Sequence, residues 1–555
     1  MWEFSQVTID GRPSRLNAFR QYSTCNGADS VLGMDTTSGE PPVPPAASAS
    51  WASSPKVRIA SRHLMNIAIL LALPTLLAAT LNRAKTLLVD PDIWWHLANA
   101  RIFATTHHAI WTDPYSFTVA GHYWIDWEWL AEQPFWWAYQ LFHLQGIYLV
   151  SWLLLGANIV FVYVRGYKLG RSADAALWTS ALAFILMTVN SGPRTIEFAY
   201  LAMSSELLIL EEFDRGNKKL IWLLPPLFAL WINLHGFWFA GIVLLAMYIG
   251  FGLFSINFGS FEQDALSKTD RNRLLLALLA SIAVLPLNPY GWHLMWNPLD
   301  MVINQKVSVA TIAEWLPISM DLVAGKFVVV AIVLMVIANL VRGRKWKLYE
   351  LAFVCLAWYA AVAHRRFSYF AAVLTAPMLA RDLARAFKLD PDENTIPGMN
   401  VLMAAIAIVV IAVQFPSEAA LQERLNMMFP MKTIASLDPG WRTFNWDYVG
   451  GMMAFQGKPS FIDSRFDSFD QVGVMDEYGK IMAGNDAIEL MKKYKVDHAL
   501  AMDNHPISYL LEHSSGWKVI QREKAWEGEY ILFAKTADVP STGLSCPSGA
   551  VPPPR

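Results

Sequence analysis

The sequence predicts an α-helical polytopic membrane protein of about eleven transmembrane helices, with a small α/β domain at the C-terminus. Three observations carry this. The chain is 54% hydrophobic and 16% charged, against about 45–50% and 25% in soluble domains. Apolar runs recur near 64–82, 146–164, 175–190, 196–210, 220–234, 237–256, 274–287, 326–341, 348–363, 367–380 and 399–415; a full crossing needs about 17–25 residues, and shorter runs suit the inside of a bundle. Finally, Lys and Arg cluster on alternate connections: Lys56, Arg58 and Arg62; Arg165, Lys168 and Arg171; Arg215, Lys218 and Lys219; Lys268, Arg271 and Arg273; Arg342, Arg344, Lys345 and Lys347; Arg381, Arg385 and Lys388. That alternation predicts a cytoplasmic N-terminus.

Residues 1–57 are expected to be a disordered cytoplasmic tail, because P-P-V-P-P-A-A-S-A-S (41–50) builds no core and shows no helix or strand period. No signal-peptide pattern precedes the first span, which is therefore expected to act as an uncleaved anchor; Met65 beside it also allows a later start. The membrane domain is expected over 58–415, with a large outward first loop at 83–142. The run at 196–210 carries Ser204, Ser205 and Glu206 and is the weakest span. An odd number of spans places 416–539 outside, in the periplasm of a bacterium whose inner membrane holds the rest. There, 458–465 reads as a short strand running into a polar loop, 485–494 as a helix, and 496–502 and 530–535 as strands. Residues 540–555 read as a loose tail.

A net charge of −2 argues against a nucleic-acid partner, since phosphate-backbone binding needs a basic surface. Cys25, Cys355 and Cys546 are too scattered for a disulfide framework or a thiolate metal site.

Most of the chemistry-bearing residues fall in the first outward loop. Asp90, Asp92, Asp113, Asp126 and Glu128 lie among Trp94, Trp95, Trp111, Trp124, Trp127 and Trp129. Carboxylates serve acid–base work, and broad aromatic faces stack on sugars. Asp92 and His96 are four apart and share a helix face. Asp92 is the leading catalytic carboxylate; Asp90 is either a second one or the N-cap ahead of Pro91. Asp126 and Glu128 form a D-x-E pair that an extended backbone would turn toward one cation and a helix would turn apart. Glu128 joins the catalytic candidates, and Asp92, His96 and Glu128 form the candidate set for a divalent cation, Mg or Mn. Trp94 and Trp95 are expected to line a groove, although tryptophan also gathers at membrane interfaces without other function.

Arg194, Arg365 and Arg366 break the charge bias by lying on the outer side, with His235 at a similar depth. They suit the phosphate of a lipid carrier, or they snorkel to outer headgroups. Glu314 sits in the other large outer loop.

These residues fall in the motifs D-x-D-x-W-W-H (90–96), E-W-L (128–130), N-L-H-G (233–236), L-N-P-Y-G-W (287–292), E-W-x-P (314–317) and R-R-x-x-x-F (365–370). Together they resemble a group of bacterial membrane proteins within the GT-C superfamily of polyprenyl-linked glycosyltransferases, over residues 64 to about 535. The segment N-W-D-Y-V-G-G (445–451) is similar to the W-W-D-Y-G motif of the oligosaccharyltransferase catalytic subunit, with Asn445 in place of the first Trp and Val449 inserted before Gly450. The resemblance implies a GT-C-like fold and transfer of a sugar from a polyprenyl-phosphate donor to a glycan, lipid or protein acceptor on the outer face of the membrane. It adds Trp446 and Asp447 as acceptor contacts. The rivals are a transporter or flippase of lipid-linked or polar solutes, which would want ionisable groups at mid-bilayer, and a non-catalytic scaffold or sensor, which would leave the carboxylate-rich loop without a role.

Overall fold

The computed structural model describes residues 54–80, 90–304, 313–341, 345–389, 395–524 and 528–536. The expected tail at 540–555 and all but the last residues of the one at 1–57 lie outside these. Helices run Pro55–Thr80 (α1), Asp92–Thr106 (α2), Trp129–Gly170 (α3), Ala173–Met187 (α4), Ile196–Asp214 (α5), Leu224–Leu234 (α6), Trp238–Phe251 (α7), Lys268–Ala283 (α8), His293–Asn304 (α9), Val323–Val341 (α10), Leu348–Ala363 (α11), Ser368–Ala386 (α12) and Pro397–Gln414 (α13). A small hairpin of Ile256–Phe258 (β1) and Phe261–Gln263 (β2) joins α7 to α8.

Every expected apolar run lies on a helix, but the count of eleven spans is corrected. Among the described residues five helices are long and apolar enough to cross a membrane, namely Pro55–Ala79, Trp129–Gly170, Ala173–Asn190, Val323–Val341 and Pro397–Gln414; α7 and α11 are shorter apolar helices. The others fall short for local reasons. Helix α6 has 11 residues, α8 opens on Lys268, Asp270, Arg271 and Arg273, and α12 ends on Arg381, Asp382 and Arg385.

The bundle is built around α12, whose side chains from Ser368 to Ala380 are all buried. It packs against α3, α4, α10 and α11. Helix α1 pairs with α13 through Ala68, Ala72, Ala404 and Ala407; such small residues let helix backbones approach closely where lipid supplies no hydrophobic drive. Helix α3 is broken at His143, whose φ of 50° and ψ of −132° interrupt its 42 residues. Gly146 permits the break, because a Cβ there would lie 2.0 Å from the Ala138 carbonyl oxygen. The Glu418 carboxylate accepts from the freed N–H groups of Leu144 and Gln145 at 3.3 and 3.0 Å, a charge at a helix start.

The C-terminal part has the expected α/β character. Thr443–Asn445 (β3), His498–Met502 (β4), Trp517–Lys524 (β5) and Glu529–Lys535 (β6) form one sheet in the order β3-β4-β6-β5. The β3–β4 pair is parallel and the others antiparallel. Alternation along β4 and β6 serves two faces. Ala499, Ala501, Ile531 and Phe533 pack with Phe444 and Phe461, while Leu500, Met502, Tyr530 and Leu532 pack with Ile93, Trp94 and Leu97 of α2. The expected strand at 458–465 is absent; Ser460 makes one isolated bridge to Ser116, and the segment continues as a loop. The described residues belong to one compact unit, and the sheet region meets the first loop where Ser460 bridges Ser116.

Candidate active site

The sequence motifs meet around the start of α2 and the segment 123–128. Trp129 donates its indole N–H to Asn233 Oδ1 at 3.0 Å, and Asn233 Nδ2 donates to the Leu287 carbonyl at 2.9 Å. Three motifs are thereby tied through one amide. Tyr290 OH accepts the Asp126 N–H at 3.1 Å. Gly236 is required because Trp127 leans on it: a Cβ there would lie 2.9 Å from the indole ring. Phe237 stacks on Phe367 at 6.1 Å and meets Phe370 edge-on at 5.8 Å.

Within this frame Glu128 is enclosed by polar partners. Its oxygens lie 3.2 Å from His96 Nε2 and 3.0 Å from His235 Nε2, and Thr195 donates its hydroxyl at 2.7 Å. The Phe237 N–H donates to His235 Nδ1 at 3.0 Å, which leaves the ring proton on Nε2 for Glu128. Burial opposes ionisation of Glu128, but His235, His96 and Thr195 outweigh it and bring its pKa down to about 2. On its other side, His96 Nδ1 lies 2.7 Å from Glu132 Oε1, and Asn99 donates to that same oxygen at 3.2 Å. Burial lowers the His96 pKa to about 4, so near neutral pH the ring carries one proton between two carboxyl groups. Asp126, buried beside them, is pushed up to about 7 by desolvation.

A second cluster sits at the N-terminal end of α2. Asp90 accepts the Asp92 N–H at 3.0 Å and is paired with Arg194. Arg194 also donates to Asn190 at 2.6 Å and reaches Glu314 at 2.5 Å. Asp90 is thus both a helix-start acceptor and half of a buried ion pair. Desolvation raises its pKa despite Arg194. Glu314 is held below the usual range, since Arg194 and the nearby Arg366 and Arg365 overcome its burial. Asp92, like Glu314, is partly exposed, whereas Asp90 is buried. Desolvation and the neighbouring Asp90 charge push the Asp92 pKa well up, against Arg194 and the nearby Ser464 hydroxyl.

The segment 463–467 closes the site. Arg465 is buried, ion-paired to Asp113 at 2.5 Å and to Asp463 at 2.6 Å, and lies over the rings of Tyr115 and Trp124. Asp113 in turn accepts the backbone N–H groups of Tyr115 and Ser116 at 3.3 and 2.7 Å. This triad fastens the first loop to the C-terminal sheet region. Helix Asp447–Phe455 (α14) presses on the same place. A Cβ at Gly451 would lie 2.6 Å from the Pro91 carbonyl oxygen, and one at Gly450 only 2.1 Å from that of Ile462. The paired glycines are therefore what lets the W-D-Y-V-G-G segment abut the start of α2.

Not every expected residue lies where a ligand could reach it. Trp94 is 1% and Trp95 6% exposed; the first packs on Phe429 and Phe455, the second on His96 and Trp124. Both belong to the core rather than to a groove. Trp446 stacks on Tyr448 at 4.9 Å, and Asp447 accepts from Tyr478 OH at 2.6 Å. The structure does not bring the expected cation set, Asp92, His96 and Glu128, together. Among the described residues no group of three or more His, Cys, Asp or Glu side chains is placed to hold a metal ion; His96 and Glu128 bond to each other, while Asp92 belongs to the Asp90–Arg194 cluster. Arg194 is committed to carboxylates. Arg366 instead lies over the Trp315 ring at 4.5 Å and, with His235, Gly236, Phe237 and Trp127, lines a largely apolar cavity of about 130 Å³. Arg365 is half-buried beside it, its N–H bonded to the Leu316 carbonyl at 2.9 Å.

Sequence reading missed Thr195, Glu132, Asn99, Asp463, Ser464 and Arg465. Glu132 was within reach, being four residues beyond Glu128 at the start of a helix.

Comparison with solved structures adds the fold. The Archaeoglobus fulgidus oligosaccharyltransferase tethered to an acceptor peptide containing an NVT sequon matches with a TM-score of 0.50 at 12% identity, over 79% of this chain and 69% of that one. The fold is similar to that of this oligosaccharyltransferase. The same archaeal enzyme with an inhibitory peptide and a dolichol-phosphate matches at 0.48 and 12%, over 86% and 75%. ArnT from Cupriavidus metallidurans bound to undecaprenyl phosphate matches at 0.46 and 14%, over 85% and 98%. No family model and no curated protein matches the sequence.

Proposed function

We propose that this GT-C-type chain is a membrane glycosyltransferase that moves a sugar from a polyprenyl-phosphate-linked donor to an acceptor on the outer face of a bacterial inner membrane, with its N-terminus cytoplasmic. The observation that carries the reading is Asp92. It is a partly exposed carboxylate with a raised pKa, set beside the Asp90–Arg194–Glu314 ion pairs, and Glu314 of that cluster is followed directly by Trp315, which walls the Arg366 cavity.

In this reading Asp92 takes the proton of the acceptor hydroxyl as that oxygen bonds to the anomeric carbon. The anomeric C–O bond breaks, and the lipid phosphate leaves with the bonding pair. Burial and the Asp90 charge raise the Asp92 pKa above the usual carboxylate range, which makes it a stronger base than a free carboxylate once ionised. Arg366 carries a charge at the mouth of an apolar, aromatic-walled cavity, where it would neutralise the departing phosphate while the walls take the first isoprene units. Glu128, with both oxygens engaged, positions His96 and His235 rather than meeting substrate. A divalent cation, if the reaction uses one, would supply Lewis-acid stabilisation of the phosphate; the carboxylates nearest Asp92 are Asp90 and Glu314, both already on Arg194. A transporter is less well supported, because Asp90, Asp92, Glu128, Arg194 and Glu314 all lie outside the five helices long and apolar enough to cross a membrane.

Native mass spectrometry of the purified chain with added undecaprenyl phosphate tests the donor half. One lipid per chain is expected, with about tenfold or greater weakening in Arg366→Ala, since a charge-assisted contact contributes about 1.5–3 kcal/mol. Equal binding by parent and variant would remove Arg366 from the site.

A further inference from the structure

A second cleft, of about 320 Å³, is lined by Tyr123, Trp124, Trp292, Trp296, Asp300 and Asp467 among others. The volume falls at the low end of the range for small-molecule sites, about 300–1,000 Å³. Its walls combine two features. The first is exposed aromatic surface: Tyr123, Trp292 and Trp296 are 54%, 59% and 58% exposed. The second is a set of hydrogen-bonding groups among those rings. Gln471 Nε2 donates to Asp300 Oδ2 at 2.9 Å, and the Trp124 indole donates to Asp467 Oδ2 at 3.1 Å. His293, whose Nδ1 lies 3.0 Å from the Tyr290 carbonyl and donates to it, keeps Nε2 as an acceptor.

The cleft is a built feature. Tyr123 is held by a short hairpin, in which Trp124 N–H donates to the Trp111 carbonyl at 3.1 Å and Asp113 N–H to the His122 carbonyl at 3.0 Å. Trp292 stacks on His293 at 4.0 Å, and Trp111 meets His293 edge-on at 5.5 Å. Tryptophans serving only as interfacial anchors need an amphipathic ring and nothing else. Here carboxylate, amide and imidazole groups stand on the same walls. Flat apolar faces beside paired acceptors and donors match a ligand with C–H faces and a rim of hydroxyls.

We infer that this cleft binds a saccharide and is the acceptor subsite. Segment 463–467 joins it to the chemistry: Asp467 lines the cleft, Arg465 lies over Trp124, and Ser464 stands beside Asp92. A hexose stacked on Trp292 or Trp296, with its hydroxyls on Asp300 and Asp467, is thereby linked through this segment to Asp92. The acceptor role rests on the transfer reading; saccharide binding at the cleft does not.

Saturation-transfer NMR of the full chain in nanodiscs, with cellotriose, maltotriose and N,N′,N″-triacetylchitotriose as probes, tests the inference. Saturable binding of at least one probe is expected, with about tenfold or greater weakening in Trp296→Ala and Asp467→Asn and substantial recovery in Trp296→Phe. Undecaprenyl phosphate binding, measured on the same preparations, should be unchanged, which separates a misfolded variant from a lost subsite. Absence of saturable binding by all three probes, or equal binding by Trp296→Ala, would overturn the saccharide cleft. Loss of undecaprenyl phosphate binding by the parent, with saccharide binding intact, would instead sink the donor reading.

Discussion

Replacing Arg465 by Met keeps most of the side-chain volume and removes a charge on which two buried carboxylates depend. Arg465 is 2%, Asp463 0% and Asp113 4% exposed, and the guanidinium makes contacts of 2.5, 2.6 and 2.9 Å to them. Desolvation already raises the Asp113 pKa despite this pairing, so water supplies little compensation once the partner is gone. Breaking a buried pair from one side costs about 3–5 kcal/mol. At about 2.1 cal/mol/K of unfolding entropy per residue, a unit of this size lowers its Tm by about 1 °C per kcal/mol, giving about 3–5 °C in thermal unfolding of detergent-purified protein. Limited proteolysis should open the first loop and the 458–470 segment together, because Arg465 joins them. Adding Asp113→Asn to Arg465→Met should recover part of the loss, since one orphaned charge is then neutral. A loss below about 1 kcal/mol, or strictly additive penalties in the double variant, would refute the clasp.

Glu128→Gln tests the histidine-flanked carboxylate. Its folded pKa is depressed from 4.5 to about 2, so its stabilisation, about 3 kcal/mol, is fully present above pH 4.5 and is lost as pH falls toward 2. The Tm gap between variant and parent should therefore be widest at neutral pH and narrow between pH 5 and 3; a constant gap would contradict the assignment. For Asp92 the folded pKa is raised, so transfer that needs its ionised form should fall off on the acid side at a pH above the ordinary carboxylate range, and a profile flat down to pH 4 would remove Asp92 as the base. The orientation predicts that a periplasm-active reporter fused near residue 540 is active, whereas activity of a cytoplasmic reporter there would reverse the arrangement.

The apolar runs were legible because length and hydrophobicity alone specify a helix in lipid, and all eleven lie on helices. The span count was not, because α5, α6, α8 and α12 are stabilised by packing within the bundle, which hydropathy does not report. Asp90 and Asp92 were recognisable from their place at a helix start, whereas the pairings Glu128–His235 and Trp129–Asn233 came only with the fold. Their roles were harder to read. Trp94 and Trp95 look like groove residues in a Trp-rich loop, yet the C-terminal sheet and α14 cover them. Arg465 lies 352 residues from Asp113, and a single D-x-R in a loop gives no sign of such a distant partner. The Gly450–Gly451 pair carried a usable signal, since adjacent glycines within a helix cost stability unless a close approach requires them.

The central claim is that Asp92 acts in sugar transfer at the outer end of the bundle. Single-turnover transfer from a radiolabelled undecaprenyl-phosphate sugar to an acceptor identified from membrane extracts, run with parent and Asp92→Asn protein of matched Tm and donor binding, tests it most directly. About a hundredfold or greater loss in Asp92→Asn is predicted, the scale of a lost general base, with a milder loss in Asp90→Asn because Asn also caps a helix start. Equal single-turnover rates for parent and Asp92→Asn would contradict it.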